Sequence, residues 1–369
     1  MGKRIILMYI SEVSGHHSAS LAVEKAIKIL DPGAEVLNIN AFNYTNPIWE
    51  RIINRAYMSV VKNTPEIWDY LYDNPKVLKN TRRIREMIHK SHTEKLQSLF
   101  DEFKPDVVAA TQAYPCGMVA DYKKTFNLGL PIVGILTDYA PHSYWIYDNI
   151  DAYVVPSEET GGKLIRNGIL EERIKPLGIP IDPKYATPLD KDALRKEFGL
   201  DPKLATILIM GGGQGMGPIK NILAAIDRIK EGFQVIAITG TNKKLHRWIQ
   251  KRRFNKKVLL FSYVDYVEKL MEVSTFIVTK PGGVTTAEAL AKNLPMLIIN
   301  PLPGQEAMNT DFLLNEGVAL KANNEDELVE LIDWLLANPG KLKQISQKIS
   351  HYAKPGAAIK TAELLLGLS

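Results

Sequence analysis

Residues 279–311 read TKPGGVTTAEALAKNLPMLIINPLPGQEAMNTD and decide the fold of the second half of the chain. A β-branched segment ends at Thr279 and runs into Lys280, a proline and two glycines, after which the pattern predicts a helix. A helix N-terminus carries unpaired N–H groups and a partial positive charge, and glycine lets an anion come close to them. A second apolar segment then leads into Pro-Gly-Gln-Glu at 303–306, whose last two side chains suit sugar hydroxyls. The stretch therefore predicts a site for a nucleotide sugar.

The same alternation of strands and helices runs along nearly the whole chain. Short, continuous apolar segments are typical of parallel strands that are covered on both faces. They predict twelve strands, at residues 4–11, 34–40, 106–112, 131–138, 152–157 and 175–178, and at 206–211, 234–240, 258–263, 275–279, 295–300 and 318–321. The fold class is therefore α/β, with a doubly wound parallel sheet that occurs twice.

The boundary between the two predicted domains falls at 179–189, where three prolines in eleven residues indicate a stiff linker. We expect a first Rossmann-like domain at 1–185 and a second at 186–344. Ligands of open α/β sheets bind at the carboxyl ends of the strands. Two such domains facing each other would form a central cleft lined by loops from both.

Composition narrows the class of protein. The 369 residues are 46% hydrophobic and 24% charged, which is ordinary for two globular domains. The net charge of +5 fits an anionic substrate or an anionic membrane surface, and equally a solvated surface with spare lysines. The single cysteine, Cys116, allows no intrachain disulfide and favours a reducing compartment. No apolar run approaches the roughly 18 residues of a membrane span, so contact with lipid would be peripheral.

The residues predict neither a metal nor a nicotinamide cofactor. The seven histidines are scattered and no cysteine pair exists, which disfavours zinc. The glycine loops at 12–16 and 211–217 lack the G-x-G-x-x-G spacing, and the strands that follow end without an acid for a ribose. The loop at 211–217 still precedes a helix predicted to begin at Pro218. It is either a phosphate-binding loop or a tight strand–helix turn.

A long segment at 48–94 separates two strands of the first half. Amphipathic aromatic residues beside cations suit the interface of an anionic bilayer, and equally a helical subdomain with an aromatic core. The residues concerned are Trp49, Tyr57, Trp68, Tyr70 and Tyr72, with Arg51, Arg55, Lys62, Arg82, Arg83 and Arg85.

Three motifs carry a resemblance to a known family. They are Thr279–Gly283 with Thr-Ala-Glu-Ala at 286–289 and Pro-Gly-Gln-Glu at 303–306; Ser14-Gly15-His16 before a helix of small residues; and Thr137-Asp138-Tyr139, followed by His142 and Trp145. Over nearly its whole length the chain resembles the bacterial processive diacylglycerol glucosyltransferases and the plant-type monogalactosyldiacylglycerol synthases. These are inverting glycosyltransferases of family 28 with the two-domain GT-B fold. The single glycine before His16 departs from the two or three that the family often has.

The resemblance implies a role for each motif on the donor side. Residues that would hold the departing diphosphate are Gly212, Gly213, Gln214, Lys280, Gly282, Gly283 and Thr285. Glu288 would bind the ribose, although Thr285 and Glu288 also fit a helix-capping box. Gln305 and Glu306 would bind the hexose, supported by Asn309. Tyr263 and Val264 would hold uracil.

The acceptor side is expected in the first domain. An imidazole titrates near neutral pH, so His16 is the candidate general base, with the adjacent His17 as the alternative by one residue. Asp138 and His142 would orient the acceptor or the base, although Asp138 equally suits a cap of its own loop. Gly15 and Trp145 complete the acceptor side.

The resemblance implies transfer of glucose or galactose from a UDP-sugar to diacylglycerol or a glycolipid, giving a β-linked product. It also implies that the C-terminal helix, at about 345–369, packs back on the first domain. The expected partners are the UDP-sugar, the lipid acceptor and an anionic membrane surface, without nucleic acid, and the expected location is the cytoplasmic face of the cell membrane. Alternatives are a UDP-sugar 2-epimerase-like isomerase, a lipid-linked N-acetylglucosaminyltransferase, and a non-catalytic nucleotide-sugar sensor.

Overall fold

The computed structural model describes residues 2–41 and 93–368. The aromatic and cationic residues predicted to contact a bilayer, Trp49 to Arg85, lie outside the described residues. The chain divides into two compact units. The first comprises Met1–Pro183, Pro303–Gln305 and Gly356–Ser369, and the second comprises Lys184–Leu302 and Glu306–Pro355.

The described part of the first unit contains a six-stranded parallel sheet in the order β2-β1-β3-β4-β5-β6. The strands are β1 (Arg4–Tyr9), β2 (Glu35–Asn40), β3 (Val107–Ala110), β4 (Ile132–Ile135), β5 (Ala152–Val154) and β6 (Ile174–Lys175). The helices are α1 (Gly15–Leu30), α2 (Thr93–Phe103), α3 (Ala113–Phe126) and α4 (Glu158–Arg166), with short 3-10 turns at Ser143–Trp145 and Glu171–Arg173.

The second unit repeats this architecture with the order β12-β11-β10-β7-β8-β9, again parallel. Its strands are β7 (Ala205–Met210), β8 (Phe233–Ile238), β9 (Lys257–Phe261), β10 (Phe276–Thr279), β11 (Met296–Ile299) and β12 (Ala319–Ala322). Its helices are α5 (Lys191–Glu197), α6 (Ile219–Ile226), α7 (Lys243–Gln250), α8 (Val267–Val273), α9 (Gly283–Ala291), α10 (Gln305–Asn315), α11 (Glu325–Ala337) and α12 (Pro339–Tyr352). The twelve predicted strands and the α/β class with two Rossmann-like domains are confirmed.

The chain returns to the first unit later than expected. Helix α12 stays with the second unit, whereas α13 (Ala357–Gly367) belongs to the first. The helical pattern is broken before α13 by Pro355, which cannot donate a backbone hydrogen bond. Helix α13 packs on α1, and Lys3 Nζ donates to the Leu366 carbonyl at 3.0 Å. The predicted returning segment of 345–369 is therefore correct only from residue 356 onward.

Alternation along β1 places its side chains in two cores. Ile5 and Leu7 pack with α1 and α13 on one face of the sheet, and Ile6 and Met8 pack with α2 and α3 on the other. This is the pattern of a strand covered on both faces, and it explains why the segment is apolar without a break.

Each sheet has one point at which the chain reverses its direction of winding. Strand β1 lies between β2 and β3, and β7 lies between β8 and β10. The central strands are β1 and β3 in the first sheet and β7 and β10 in the second. The loops that leave the two central strands of a sheet run to its opposite faces, so that a crevice remains at the carboxyl edge. The loop that leads to His16 leaves β1 at this point of the first sheet, and the loops that carry Gly212 and Lys280 leave β7 and β10 at this point of the second.

Candidate functional site

The candidate base, His16, lies in the first turn of α1, directly after the loop that leaves β1. The loop turns at Ser11, whose φ is 70°, and Ser14 caps the helix by accepting from the His17 amide at 3.3 Å. Gly15, predicted on the acceptor side, is the first residue of α1. Helix α1 thus begins at the crevice of the first sheet and holds His16 there.

The imidazole of His16 is held through one ring nitrogen. Its Nδ1 lies 2.9 Å from the Thr111 carbonyl oxygen and 2.8 Å from Thr137 Oγ1. Thr111 follows β3 and Thr137 follows β4, so the ends of three strands meet at this ring. Since a carbonyl oxygen can only accept, Nδ1 carries the proton and Nε2 keeps its lone pair. Neither threonine had a predicted role, although Thr137 begins the Thr-Asp-Tyr motif and both residues lie at the carboxyl ends of predicted strands.

Burial lowers the pKa of His16 below its ordinary value of 6.5. The carboxylate of Asp138 and the hydrogen bond to the Thr111 carbonyl act in the opposite direction, with smaller effect. Desolvation penalises the imidazolium, so the ring is neutral at neutral pH. A neutral ring with a free Nε2 lone pair is the form that a general base requires.

His17, the alternative base, is held by its own loop. Its ring stacks on Tyr9 at 4.1 Å, and its Nδ1 lies 2.7 Å from the Glu12 carbonyl oxygen and 3.8 Å from Glu12 Oε2. The Tyr9 hydroxyl donates to the same carboxylate at 2.7 Å. His17 therefore anchors the loop after β1, whereas His16 reaches the crevice, which favours His16 as the base.

The other two acceptor-side candidates take part in local structure. The Nδ1 of His142 accepts from the Tyr144 amide at 3.0 Å and so caps the 3-10 turn Ser143–Trp145. Trp145 is buried in the core of the first unit, and its carbonyl accepts from the Tyr153 hydroxyl at 2.6 Å. These contacts indicate that His142 and Trp145 both stabilise the segment of chain that follows Asp138.

The glycine loop at 211–217 leaves β7 and is a compact turn. Gly212, Gly215 and Gly217 have φ values of 68°, 57° and 93°, which favour glycine. A Cβ atom at Gly215 would lie 2.0 Å from the Thr239 carbonyl oxygen, so the loop packs directly on the end of β8. The shape of the loop is therefore compatible with both interpretations, a phosphate-binding loop and a tight strand–helix turn, because a tight turn also places backbone at the crevice.

The tip of this loop holds the predicted phosphate contacts. Gly213 and Gln214 are exposed, and the Gly213 carbonyl accepts from the Thr241 amide at 2.9 Å. Helix α6 begins at Ile219, so the prediction that Pro218 is its first residue was wrong by one position. Pro218 occupies the cap, where its missing N–H costs nothing.

Helix α9 begins immediately after the Lys-Pro-Gly turn. Gly282 is its N-cap, with φ −65° and ψ 137°, and Gly283 is its first residue. Thr285 is thus the third helical residue and cannot cap the helix, which excludes the capping-box interpretation of Thr285 and Glu288. Glu288 lies one turn further along the same side of α9. A Cβ atom at Gly282 would meet no atom within 4 Å, so this helix end is open.

Lys280 and Glu306 form an ion pair beside this helix end. Lys280 Nζ lies 2.6 Å from Glu306 Oε1, and Glu306 Oε2 accepts from the Leu302 amide at 2.8 Å. Their side chains are only 19% and 12% exposed. The Lys280 side chain also lies across Gly212, where a Cβ atom would be 4.0 Å from Cε. The pair therefore places an ammonium between the two loops of the crevice.

This arrangement differs from the expected sugar-binding pair. Gln305 and Glu306 lie in the first turn of α10 rather than on an extended loop, and both Glu306 oxygens already accept hydrogen bonds. Asn309 is fully buried, and its Nδ2 donates to the Pro281 carbonyl at 3.0 Å. Glu306 and Asn309 thus fix α10 and Lys280 to the turn before α9.

Tyr263 and Val264 lie just beyond the carboxyl end of β9, where they line a cavity of about 530 Å³. Tyr263 is 65% exposed, and His246 of α7 lines the opposite side. The His246 ring is held by Thr239 Oγ1, 3.1 Å from its Nδ1. The cavity is within the size range of small-ligand pockets.

Comparison with known proteins agrees with this geometry. Residues 16–181 match the family model described as monogalactosyldiacylglycerol (MGDG) synthase, and residues 190–352 match glycosyl transferases group 1. A relative from Staphylococcus saprophyticus named processive diacylglycerol beta-glucosyltransferase is 28% identical over 372 residues, covering 99% of this chain and 93% of the relative.

Two solved structures share the fold. The crystal structure of MurG from Acinetobacter baumannii superposes with a TM-score of 0.65 at 15% identity, covering 98% of this chain and 99% of that one. The UDP-GlcNAc 2-epimerase of Neisseria meningitidis bound to UDP-GlcNAc gives 0.63 at 14% identity, with coverage of 98% and 99%. Because the second of these proteins is named as an epimerase, the shared fold does not by itself distinguish transfer from epimerisation.

We expect Gly282→Ala to weaken the binding of UDP at least about tenfold, or about 1.4 kcal/mol. The added methyl group would occupy the space through which an anion approaches the first N–H groups of α9. Alanine adopts the Gly282 backbone conformation without strain, and nothing crowds its Cβ, so stability should not change. Isothermal titration calorimetry with UDP measures the effect.

The matched control for this variant is Gly340→Ala in α12, where an added Cβ also meets no atom within 4 Å. It should bind UDP as the wild type does. Equal UDP affinity in both variants would contradict a diphosphate site at the start of α9.

Proposed function

We propose that this chain, which is similar to the diacylglycerol glucosyltransferases over nearly its whole length and to the monogalactosyldiacylglycerol synthases over residues 16–181, transfers glucose from UDP-glucose to the hydroxyl group of diacylglycerol. The transfer proceeds with inversion and gives a β-glucosyl lipid. The observation that carries the proposal is the near full-length similarity to a processive diacylglycerol beta-glucosyltransferase, whose name gives both glucose as the sugar and diacylglycerol as the acceptor.

The second unit supplies groups for the departing diphosphate. Its negative charge grows as the glycosidic bond breaks, and N–H groups already aimed at that position need no reorganisation. The open start of α9 offers such groups at Gly283, Val284 and Thr285. Lys280 adds a positive charge beside Gly212, and Glu306 keeps it in place. With these groups the proposed reaction requires no metal ion.

The remaining donor contacts follow from the same edge of the sheet. The cavity at Tyr263 and Val264 takes the uracil, and Glu288 takes the ribose hydroxyls. Gln305, at the start of α10, is left as the hexose contact, because Glu306 is already bonded to Lys280 and to the Leu302 amide.

His16 acts as the base on the acceptor. A lipid alcohol is a very weak acid, so its proton moves to Nε2 only as the new bond forms. The resulting imidazolium is stabilised by the Nδ1 hydrogen bond to the Thr111 carbonyl and by the Asp138 carboxylate, which both favour the charged ring. The proposed role of Asp138 is therefore to stabilise the imidazolium of His16 through its negative charge.

The acceptor chemistry places the enzyme at a membrane. Within residues 2–41 and 93–368 no helix has the length and apolar character needed to cross a bilayer. Diacylglycerol resides in the bilayer, so we propose peripheral binding to an anionic membrane surface, on its cytoplasmic side where nucleotide sugars are found.

The substrate test offers UDP-glucose, UDP-galactose and UDP-N-acetylglucosamine separately, each with dispersed diacylglycerol, and analyses the lipid extract by mass spectrometry. A hexosyl-diacylglycerol formed from UDP-glucose supports the proposal, and preference for UDP-galactose would correct the sugar. UDP-N-acetylglucosamine incubated alone in deuterated water tests epimerisation. Incorporation of deuterium at C2 of the sugar, without any lipid product, would show that the protein catalyses isomerisation and not transfer.

We expect His16→Ala to lower kcat by about 10²- to 10⁴-fold, the usual loss on removing a general base. UDP binding, measured by calorimetry, should be retained because His16 lies in the first unit. His17→Ala serves as the control and should retain most of its turnover, since that ring only holds the loop after β1. A larger loss in His17→Ala than in His16→Ala would assign the base to His17.

The pH dependence provides a separate check on the base. The lowered pKa of His16 places the acidic limb of kcat/KM below pH 6.5. The Asp138 carboxylate raises the pKa of His16, so Asp138→Asn should lower that pKa further and move the acidic limb to lower pH. Asp31→Asn, a control at the far end of α1, should leave the limb in place. A limb that moves to higher pH in Asp138→Asn would contradict this electrostatic role.

A further inference from the structure

The positive charge of the chain is concentrated in one segment of the second unit. Residues 232–264 contain no aspartate or glutamate but eight lysines and arginines. That segment contributes +8 to a chain whose net charge is +5, which leaves −3 for all other residues. The basic residues are Lys243, Lys244, Arg247, Lys251, Arg252, Arg253, Lys256 and Lys257.

Six of these residues form a continuous exposed surface on and after α7. Leu245 and Ile249 are buried and turn the inner face of α7 to the core of the unit. The opposite face, within an arc of about 100°, presents four basic side chains, and two arginines follow in the turn before β9. We call this the basic surface; it consists of Lys243, Lys244, Arg247, Lys251, Arg252 and Arg253, all of which are exposed.

The structure leaves this surface without counter-charges. None of the ion pairs found among the described residues includes a member of the basic surface. The carboxylate of Asp227, which adjoins the turn, accepts from the amides of Asn255 and Lys256 at 2.7 and 3.1 Å. Six neighbouring cations without paired acids repel one another, so an anionic partner would relieve that repulsion.

The two aromatic residues that pack beside the basic surface, Trp248 and Phe254, are only partly exposed. Trp248 is partly buried, with Lys220 Nζ 5.5 Å and the Arg252 guanidinium 5.1 Å from its ring centroid. Phe254 packs edge-on against Trp248 at 6.5 Å. A protein that binds single-stranded nucleic acid needs exposed aromatic faces, whereas a protein that binds a phosphate-rich lipid surface needs only clustered cations. The geometry favours the lipid surface.

Most of the basic surface is separate from the donor contacts. Strand β9, which follows it, is an edge strand, whereas the proposed diphosphate contacts lie at the inner pair β7 and β10. His246 is the only residue of α7 that lines the cavity at Tyr263, and no member of the basic surface does. Lys244, by contrast, lines a second cavity of about 270 Å³ with Gly217 and Pro218, at the end of the glycine loop. Arg247, Lys251, Arg252 and Arg253 line neither cavity, so changes to these four residues leave the donor contacts intact.

We propose that the basic surface docks the second unit onto an anionic bilayer through the phosphate groups of its lipids. The choice of a bilayer as partner rests on the proposed function, whose acceptor is a membrane lipid. Each basic residue near an anionic membrane contributes about fivefold to binding, and this attraction falls off within the screening length of the salt. Docking is therefore electrostatic and sensitive to salt.

The test compares the full chain with a variant that removes four charges away from both cavities, R247Q/K251Q/R252Q/R253Q. Sedimentation with vesicles of phosphatidylcholine, with and without phosphatidylglycerol, measures binding at low and high salt. We expect the wild type to prefer the anionic vesicles, and the variant to bind them at least about thirtyfold more weakly. The matched control is K196Q/K203Q/K343Q/K348Q, which removes four exposed lysines elsewhere in the second unit and should bind nearly as the wild type does.

Three results would overturn the proposal. They are equal binding of the wild type to neutral and anionic vesicles, equal loss in the variant and the control, and a variant that binds as tightly as the wild type. Fluorescence anisotropy with a single-stranded oligonucleotide completes the comparison. Loss of oligonucleotide binding in the variant, with vesicle binding unchanged, would assign the surface to nucleic acid.

Turnover in neutral detergent micelles separates this proposal from the proposed function. There the variant and the wild type should convert diacylglycerol equally, which also shows that the variant is folded. If neither protein glycosylates diacylglycerol from any UDP-sugar while the vesicle result stands, the proposed function fails and the docking surface remains. UDP binding by calorimetry then verifies that the variant is folded.

Discussion

The reversal of winding in each parallel sheet is the constraint on which both halves of the candidate site depend. In the first sheet, the loop after β1 and the residues after β3 and β4 meet at the reversal, so one imidazole is within hydrogen-bonding distance of Thr111 and Thr137. In the second, the loops after β7 and β10 diverge, and Lys280 lies across Gly212. A different strand order would separate these groups although every element remained intact.

For the proposed role of His16 as a general base, its environment balances two requirements. Burial keeps the ring neutral and ready to accept a proton, but a ring with a lowered pKa is also a weaker base. The Asp138 carboxylate offsets part of this loss of basicity, because its attraction for the ring grows as the ring gains positive charge during the proposed reaction. The Thr111 carbonyl determines which nitrogen is free, and as a backbone group it does so whatever the side chain at that position.

The sequence was sufficient to predict the sheets and the loop that carries His16, but not the partners of individual side chains, and the role of His16 as base stays a prediction. Short unbroken apolar segments are typical of strands covered on both faces, and their length and their alternation with helical segments were enough to predict the strands. The ion pair of Lys280 and Glu306 did not follow, because it depends on how closely α10 approaches the turn before α9. The roles of Thr111 and Trp145 likewise depend on strand register and core packing. Thr285 had two interpretations until the helix start at Gly283 excluded one of them.

The net charge of the chain likewise says little about where the charged residues lie. A net charge of +5 indicates only a mild basic excess, because acids elsewhere in the chain offset the +8 of residues 232–264. One alternative explanation for these cations is protection of the edge strand β9 against pairing with another sheet, for which lysines at an edge are well suited. That explanation fits Lys256 and Lys257, at the start of the strand. It does not extend to Lys243, Arg247 and the rest of the basic surface, which lie on the outer face of a helix or in the turn after it, where no strand edge needs protection. Those residues are therefore better explained by an anionic partner.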